Sequence, residues 1–273
     1  MNSDLDTWLE AKSHNIVMQR LAQRLPVLAL GIRAARSAEI VRIAKATGHH
    51  CIWVDLEHSA MAIDVAASLC ATALDLGMAP FARIPERDYG VIGRLLDGGA
   101  LGIIAPRIET AAQAADVVAA CRFPPLGARS ALNSLPHLEY RRVDAARMNA
   151  TMNRATVVKI LIETQAGIDN IEAIAALPGV DIVAIGTNDL TAELGVPGEF
   201  RHPHVRQAHE MALAACQRHH KPLVIGGIGD PAYSAELIRL GAAPFLFTGI
   251  DTELMISAAS ARAQAALDSL EKT

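Results

Sequence analysis

The chain has 273 residues, 51% of them hydrophobic, 20% charged and 4% aromatic, and a formal net charge of −4 at pH 7. That composition builds a large apolar core and carries no disorder signature. The weakly acidic balance and the scarcity of stacking rings exclude a nucleic-acid binder that works by electrostatics or base stacking.

No apolar run approaches the roughly 20 residues of a membrane helix. The acidic start, MNSDLDTWLE, has no apolar stretch of the signal-peptide kind. Cys51, Cys70, Cys121 and Cys216 are scattered without a paired motif, as expected of reduced thiols packed as small hydrophobes. The expected location is therefore cytoplasmic, with no membrane partner.

In chain order, residues 1–25 read as an N-terminal helical extension ahead of a single domain, 26–273. From there, short β-rich apolar runs alternate with Ala-rich helical stretches. VLALGI (27–32) precedes SAEIVRIAKATG, CIWV (51–54) precedes AIDVAASLCATALDLG, PFARI (80–84) precedes YGVIGRLLDGGA, and LGIIA (101–105) precedes AAQAADVVAACR. A long Arg-rich insertion (123–155) follows, whose length marks it as a lid or interface element. Then VVKILI (157–162) precedes GIDNIEAIAALPG, and DIVAIG (181–186) precedes VRQAHEMALAACQRHH. PLVIGG (222–227) precedes PAYSAELIRLGA, and PFLFTG (244–249) precedes ELMISAASARAQAAL. Several helical stretches stop at glycine: Gly48, Gly77, Gly179 and Gly241. Eight buried strands alternating with eight helices predict an α/β fold, a (β/α)8 TIM barrel closed by parallel pairing.

In such a barrel the residues just past each strand share one rim, where active sites lie. Collected there are Asp55, Glu57 and His58, then Arg83, Arg107, Glu163, Asn188 and Asp189, with Gly226-Gly227 and Gly249 to Asp251 closing the circle. Each has a plain structural reading beside the functional one. Glu163 or Asp189 would cap the helix that follows. Arg83 would pair with Glu86 or Asp88. His58 is one of ten histidines, Glu57 would be a packed acid at a helix start where its functional reading has it orient a neighbour, and the glycine turns are common in loops. CQRHH (216–220) and HPH (202–204) sit at helix ends and read as structural. Taken together, two carboxylates on consecutive strand ends suit a hard divalent ion whose remaining positions go to substrate and water.

At this point the ordered segments VDLEHSAM, LLDGGALGIIAPRIET, CRFPPLGARS, ILIETQAG, GVDIVAIGTNDLTAELG and FTGIDTELM carry a resemblance. From about residue 25 to 270 the chain resembles the HpcH/HpaI aldolases, class II metal-dependent pyruvate aldolases of the 4-hydroxy-2-oxoheptanedioate aldolase type, in the phosphoenolpyruvate/pyruvate superfamily. The resemblance implies reversible retro-aldol cleavage of a 4-hydroxy-2-oxo acid to pyruvate and an aldehyde, with Mg2+, Mn2+ or Co2+ as cofactor. It puts the metal ligands on Glu163 and Asp189, the catalytic histidine on His58 and the catalytic arginine on Arg83. It further implies that Asp97 and Asp55 support the histidine, and that backbone N–H groups at Gly186, Thr187 and Asn188 hold the pyruvate carboxylate. It also implies a homo-oligomer, a hexamer of dimers that exchange the last helix. The chain departs from the family pattern at Leu161, where relatives carry Gln, and at Thr187-Asn188, where they commonly carry a Pro-Ala pair. It also departs in GIRAARSAE, which places two arginines where small or hydroxyl residues are usual.

The chemistry accounts for these residue types. Cleavage leaves negative charge on the pyruvate half, which a Lewis acid and a preorganised guanidinium stabilise, while an imidazole exchanges the hydroxyl proton. No lysine stands at a strand end to form a Schiff base, since Lys159 is mid-strand and Lys221 precedes its strand. The alternatives are an acyl-CoA ester carbon–carbon lyase of the citrate lyase β/malyl-CoA lyase type, with the Arg-rich insertion at the nucleotide, or a non-catalytic barrel retained for assembly.

Overall fold

The computed structural model describes residues 2–132 and 134–271. Two helices, α1 (Asn2–Lys12) and α2 (Ile16–Ala22), precede the strands. The first half of the repeat is β1 (Val27–Ile32), α3 (Glu39–Ala46), β2 (Cys51–Asp55), α4 (Ile63–Asp75), β3 (Ala79–Arg83), α5 (Ile92–Asp97), β4 (Gly102–Ala105) and α6 (Ala111–Cys121). After α7 (Ala145–Ala155) come β5 (Val157–Ile162), α8 (Gln165–Asp169), α9 (Ile171–Ala176), β6 (Ile182–Gly186), α10 (Thr187–Glu193) and α11 (Pro203–Arg218). β7 (Leu223–Gly226), α12 (Pro231–Leu240), β8 (Phe245–Ile250) and α13 (Asp251–Glu271) complete the chain.

All the strand pairs are parallel, in the order β7-β6-β5-β4-β3-β2-β1-β8. The ring is nearly closed: between β7 and β8 the Ala243 N–H donates to the Leu223 carbonyl at 2.7 Å. This is the (β/α)8 barrel that the alternating pattern predicts.

The alternation of strand residues sorts two cores. Val158, Ile160 and Ile162 of β5 face outward and pack with Ile103, Val183 and Ile185 beneath the helices. Val157 and Leu161 face inward with Phe81, Ile104, Ile182, Ala184 and Phe245. Each fully buried Ile, Leu or Val contributes about 1.5–3 kcal/mol. Val17 and Leu21 of α2 join the inner cluster and plug the N-terminal mouth of the barrel, so the inner space opens only at the opposite end.

The sequence reading missed details at the margins. The helical extension expected over 1–25 is two helices among the described residues, Asn2–Lys12 and Ile16–Ala22, broken where Asn15 caps α2 and donates to the Ala155 carbonyl at 3.1 Å. The 123–155 insertion is no rim lid within this chain. Its Phe123, Leu135, Leu138, Met148 and Met152 cluster with Leu9 of α1, on the side of the barrel away from the strand C-termini. α13 is almost wholly exposed, with Leu254, Met255, Ile256, Leu267 and Leu270 in solvent. Ile43 on α3 and Leu240 on α12, the helices that would flank it in a closed ring, are exposed as well. Among the described residues, no helix is long and apolar enough to cross a membrane.

Candidate active site

A cavity of about 600 Å3 opens at the C-terminal mouth of the barrel. Arg33, His58, Arg83, Glu163 and Asp189 reach it from four strand ends and the first turn of α10, and Lys159 lies on its floor.

β2 and β3 pair so that Asp55 and Arg83 are in register at the rim. Arg83 donates from Nε to Asp55 Oδ1 at 3.0 Å and from Nη2 to Oδ2 at 2.8 Å. Its Nη1 lies 3.0 Å from Glu57 Oε2. Asp55 is fully buried and also accepts from Arg33 Nε and from the N–H groups of Glu57 and His58. Burial alone would push its carboxyl up; the hydrogen bonds and charge of Arg83, joined by His58 N–H and Arg33, outweigh it and hold it below the ordinary range. Burial does push Glu57 up, against the attraction of Arg83 and His58 and with repulsion from Asp55 and Asp189. The expected pairing of Arg83 with Glu86 or Asp88 does not form. Glu86 turns instead to Arg87 and Arg107, at 3.4 and 3.6 Å.

Glu163 follows β5 and does not cap the next helix; Thr164 does, accepting from the Gly167 N–H at 3.2 Å. The Glu163 side chain is thereby left to the cavity, buried, with Oε2 accepting from the Arg107 N–H at 3.0 Å. Asp189 stands exposed in the first turn of α10, which has Gly186 and no side chain at its cap. Burial, reinforced by the charge of Asp189, pushes Glu163 up to about 8. Two neighbouring carboxylates with so little positive charge between them fit a divalent cation. Among the described residues no group of three or more His, Cys, Asp and Glu converges, so such an ion would draw its other ligands from substrate and water.

Gly186 lies against Glu163: a Cβ there would come within 2.6 Å of Glu163 Oε1. Gly227, at φ +70, covers the start of α10, where a Cβ would stand 3.0 Å from Asn188 N and 3.2 Å from Thr187 N. The loop GGIGD thus lines the cavity, a role that its glycines alone do not announce. The Thr187 hydroxyl points away, 3.2 Å from His209 Nε2, whose Nδ1 lies 3.2 Å from the Tyr233 hydroxyl. Burial lowers His209 to about 4, so the imidazole is neutral. Only the backbone of Thr187 is free to serve the cavity.

Two sequence expectations are not met within one chain. Asp97 ends α5, and a helix in this fold ends beside the start of the next strand, away from the rim. There it accepts from Arg129 Nη2 at 2.7 Å and does not meet His58. Asp55, expected to support the histidine ring, touches only the backbone N–H of His58, at 3.2 Å. The ring is half-exposed, with Nε2 3.5 Å from Glu57 Oε2.

Lys159 is mid-strand, as read from the sequence, yet its buried amine lines the cavity. Nζ has no hydrogen-bond partner among the described residues and sits 4.1 Å and 4.5 Å from the ring centroids of Phe245 and Phe247. Burial lowers it to about 7. Arg122, just ahead of the insertion segment, and Arg129 within it are spent inside the fold, on Asp181 and Asp97. CQRHH and HPH are structural, as expected: Arg218 and His219 pair with Glu172, and His202 caps α11.

The model of the HpcH/HpaI aldolase/citrate lyase family matches residues 33–258. A 4-hydroxy-4-methyl-2-oxoglutarate aldolase of Chaetomium globosum is 37% identical over 80% of this chain and 81% of its own. A 5-keto-4-deoxy-D-glucarate aldolase of Klebsiella pneumoniae is 33% identical over 84% and 87%. An HpcH/HpaI aldolase from Desulfitobacterium hafniense superposes with a TM-score of 0.85 at 26% identity, covering 92% of this chain and 97% of that one.

Proposed function

The chain belongs to the HpcH/HpaI aldolase/citrate lyase family, and on that footing we propose that it is a class II pyruvate aldolase, a carbon–carbon lyase. Its reaction is the reversible cleavage of a 4-hydroxy-2-oxo acid to pyruvate and an aldehyde. The observation that carries this reading is the buried Glu163, raised to about 8 by burial and by Asp189, in one cavity with an arginine locked by two acids. Relatives above 30% identity are named aldolases, and Arg129, Arg141, Arg147 and Arg154 of the insertion, which would serve an acyl-CoA ester, are already paired with acids.

Glu163 and Asp189 would hold Mg2+, Mn2+ or Co2+. When bound, a divalent ion supplies Lewis-acid stabilisation of charge on the pyruvate half. Backbone N–H groups at Gly186, Thr187 and Asn188 orient the pyruvate carboxylate; the first N–H groups of a helix have no partner within it. Arg83, fixed by Asp55 and Glu57, turns its remaining N–H groups to the oxygen on which charge develops, and such a donor is worth about 3–4 kcal/mol. Because the ion pairs set the guanidinium before substrate arrives, no reorganisation is spent during the reaction.

His58 exchanges the proton of the C4 hydroxyl, taking it in cleavage and returning it in addition. Its exposure gives that proton a path to solvent. The exposed apolar residues of α13 support a homo-oligomer, a hexamer in which the last helix packs on a neighbouring copy. Incubating pyruvate with a panel of aldehydes and each metal tests the activity: new 4-hydroxy-2-oxo acids are expected, and their absence with every pair would refute it.

A further inference from the structure

The helix that carries Asp189 has little strength of its own. α10 is seven residues long, and its cap position holds Gly186 without a side-chain hydrogen bond. A helix this short is marginal in water, so packing has to fix where it sits. Thr187 and Thr191, both buried, stand four residues apart on the face turned away from the cavity, while Asn188 and Asp189 line it. The Thr191 hydroxyl donates to the Asn188 carbonyl at 2.7 Å and accepts from the Gly198 N–H at 3.1 Å, which ties down the second turn.

The first turn is tied through Thr187. Its hydroxyl lies 3.2 Å from His209 Nε2 on α11, and His209 Nδ1 lies 3.2 Å from the Tyr233 hydroxyl on α12. All three side chains are buried. A neutral imidazole offers one donor and one acceptor, so it can bond both hydroxyls at once. Tyr233 is itself held in place. Its N–H donates to Asp230 Oδ1 at 3.1 Å, and Asp230 Oδ2 accepts from Arg201 Nε at 3.1 Å. The Arg201 guanidinium lies 4.6 Å from the centroid of the tyrosine ring. Tyr233 also forms a small cluster with Leu237 and Ala242, against which Ile228 of the GGIGD loop packs. Gly227 of that loop covers the start of α10. The cluster therefore meets the first turn of α10 by two routes, through His209 and through the loop.

Thr187 stands between the two acids of the candidate metal site. Asp189 is two residues beyond it, and Gly186, just before it, packs so closely on Glu163 that no Cβ fits. A shift at Thr187 changes the distance between the two carboxylates. Resting on the metal-dependent aldolase reading above, we propose that His209 and Tyr233 are positioning residues: through Thr187 they fix the first turn of α10, and with it the spacing of Asp189 and Glu163 at which a divalent ion is held. Mg2+ demands a near-ideal octahedron, whereas Ca2+ accepts irregular ones, so a loosened turn costs Mg2+ more than Ca2+.

The test reads the helix and the ion separately. Hydrogen exchange on the metal-free full chain follows the amides of residues 191–194, and calorimetry measures Mg2+ and Ca2+ binding. His209→Phe removes both bonds, Tyr233→Phe removes one hydroxyl, and His209→Gln keeps an amide where Nε2 stood. His209→Phe should speed exchange in α10 with the barrel strands unchanged, and should weaken Mg2+ by about tenfold or more, Ca2+ by less. Tyr233→Phe should do the same to a smaller extent, and His209→Gln should recover most of the Mg2+ affinity. Should His209→Phe not fold, Tyr233→Phe carries both readings. Unchanged exchange in α10 overturns the proposal, as does a rise spread equally over the barrel, or an unchanged Mg2+ affinity in a wild type that binds the ion. If the wild type binds neither ion, the metal reading fails, and exchange in α10 alone decides whether the two residues position the helix.

Discussion

Arg83 and Asp55 form a two-point ion pair, Nε to Oδ1 at 3.0 Å and Nη2 to Oδ2 at 2.8 Å, across paired ends of β2 and β3. The pair is set by strand register, so the guanidinium is aimed before any ligand enters.

Arg83 and His58 should therefore divide the labour. Arg83→Ala should lower kcat by at least about a hundredfold, in aldol cleavage and in oxaloacetate decarboxylation alike, because both pass through charge on the pyruvate half. Asp55→Asn should lower both by a smaller common factor, since it disturbs Arg83 without removing it. His58→Ala should damage cleavage far more than decarboxylation, which has no hydroxyl proton to exchange. Steady-state kinetics on both substrates checks this. Equal proportional losses in the His58 and Arg83 variants would contradict the division.

Lys159 should be dispensable for cleavage and costly for stability. Its amine is lowered by burial to about 7, so between that value and the ordinary 10.5 the unfolded chain binds a proton that the native chain lacks. Stability from this group therefore rises with pH through that window, and its full cost is felt below it. Lys159→Met should be more stable at pH 7 by on the order of 1–3 kcal/mol, with the advantage shrinking toward pH 10. Denaturant unfolding at several pH values measures it; a variant less stable than wild type at pH 7 would mean that the amine has a partner in solution.

The barrel and the strand ends were legible in the sequence because both follow from periodicity. Eight apolar runs leave little alternative to a parallel ring, and VVKILI or DIVAIG can only be buried. The rim acids could be gathered for the same reason. What could not be read was pairing at a distance. Nothing local ties Arg33 to Asp55, or Asp251 to the backbone of residues 33–35, because those partners are brought together only when β1 pairs with β2 and with β8. Asp97 was tied to the site by the resemblance alone; within one chain it ends a helix and meets Arg129. The same blindness removed Lys159 from the cavity, although a residue in mid-strand can reach upward through a wide barrel.

Assembly should follow from α13. A 21-residue helix with Leu254, Met255, Ile256, Leu267 and Leu270 exposed carries large apolar side chains of the kind that mark an interaction surface when they are contiguous. Light scattering should give a multiple of 29.0 kDa, six being the expected number. Truncation before Leu254 should lower that mass. A full-length species at the monomer mass would defeat the expectation.

The most direct measurement concerns Glu163 and Asp189. Chelator-treated protein is assayed for 4-hydroxy-2-oxo acid cleavage before and after addition of Mg2+, Mn2+ or Co2+, with metal binding by calorimetry for wild type, Glu163→Ala and Asp189→Ala. Chelation should abolish cleavage and metal should restore it. Both variants should fold, since neither side chain belongs to the apolar clusters, yet bind metal at least about a hundredfold more weakly, in line with loss of a direct ligand. Full activity after chelation, with borohydride trapping a pyruvate adduct on Lys159, would show instead that the cavity works through its buried amine.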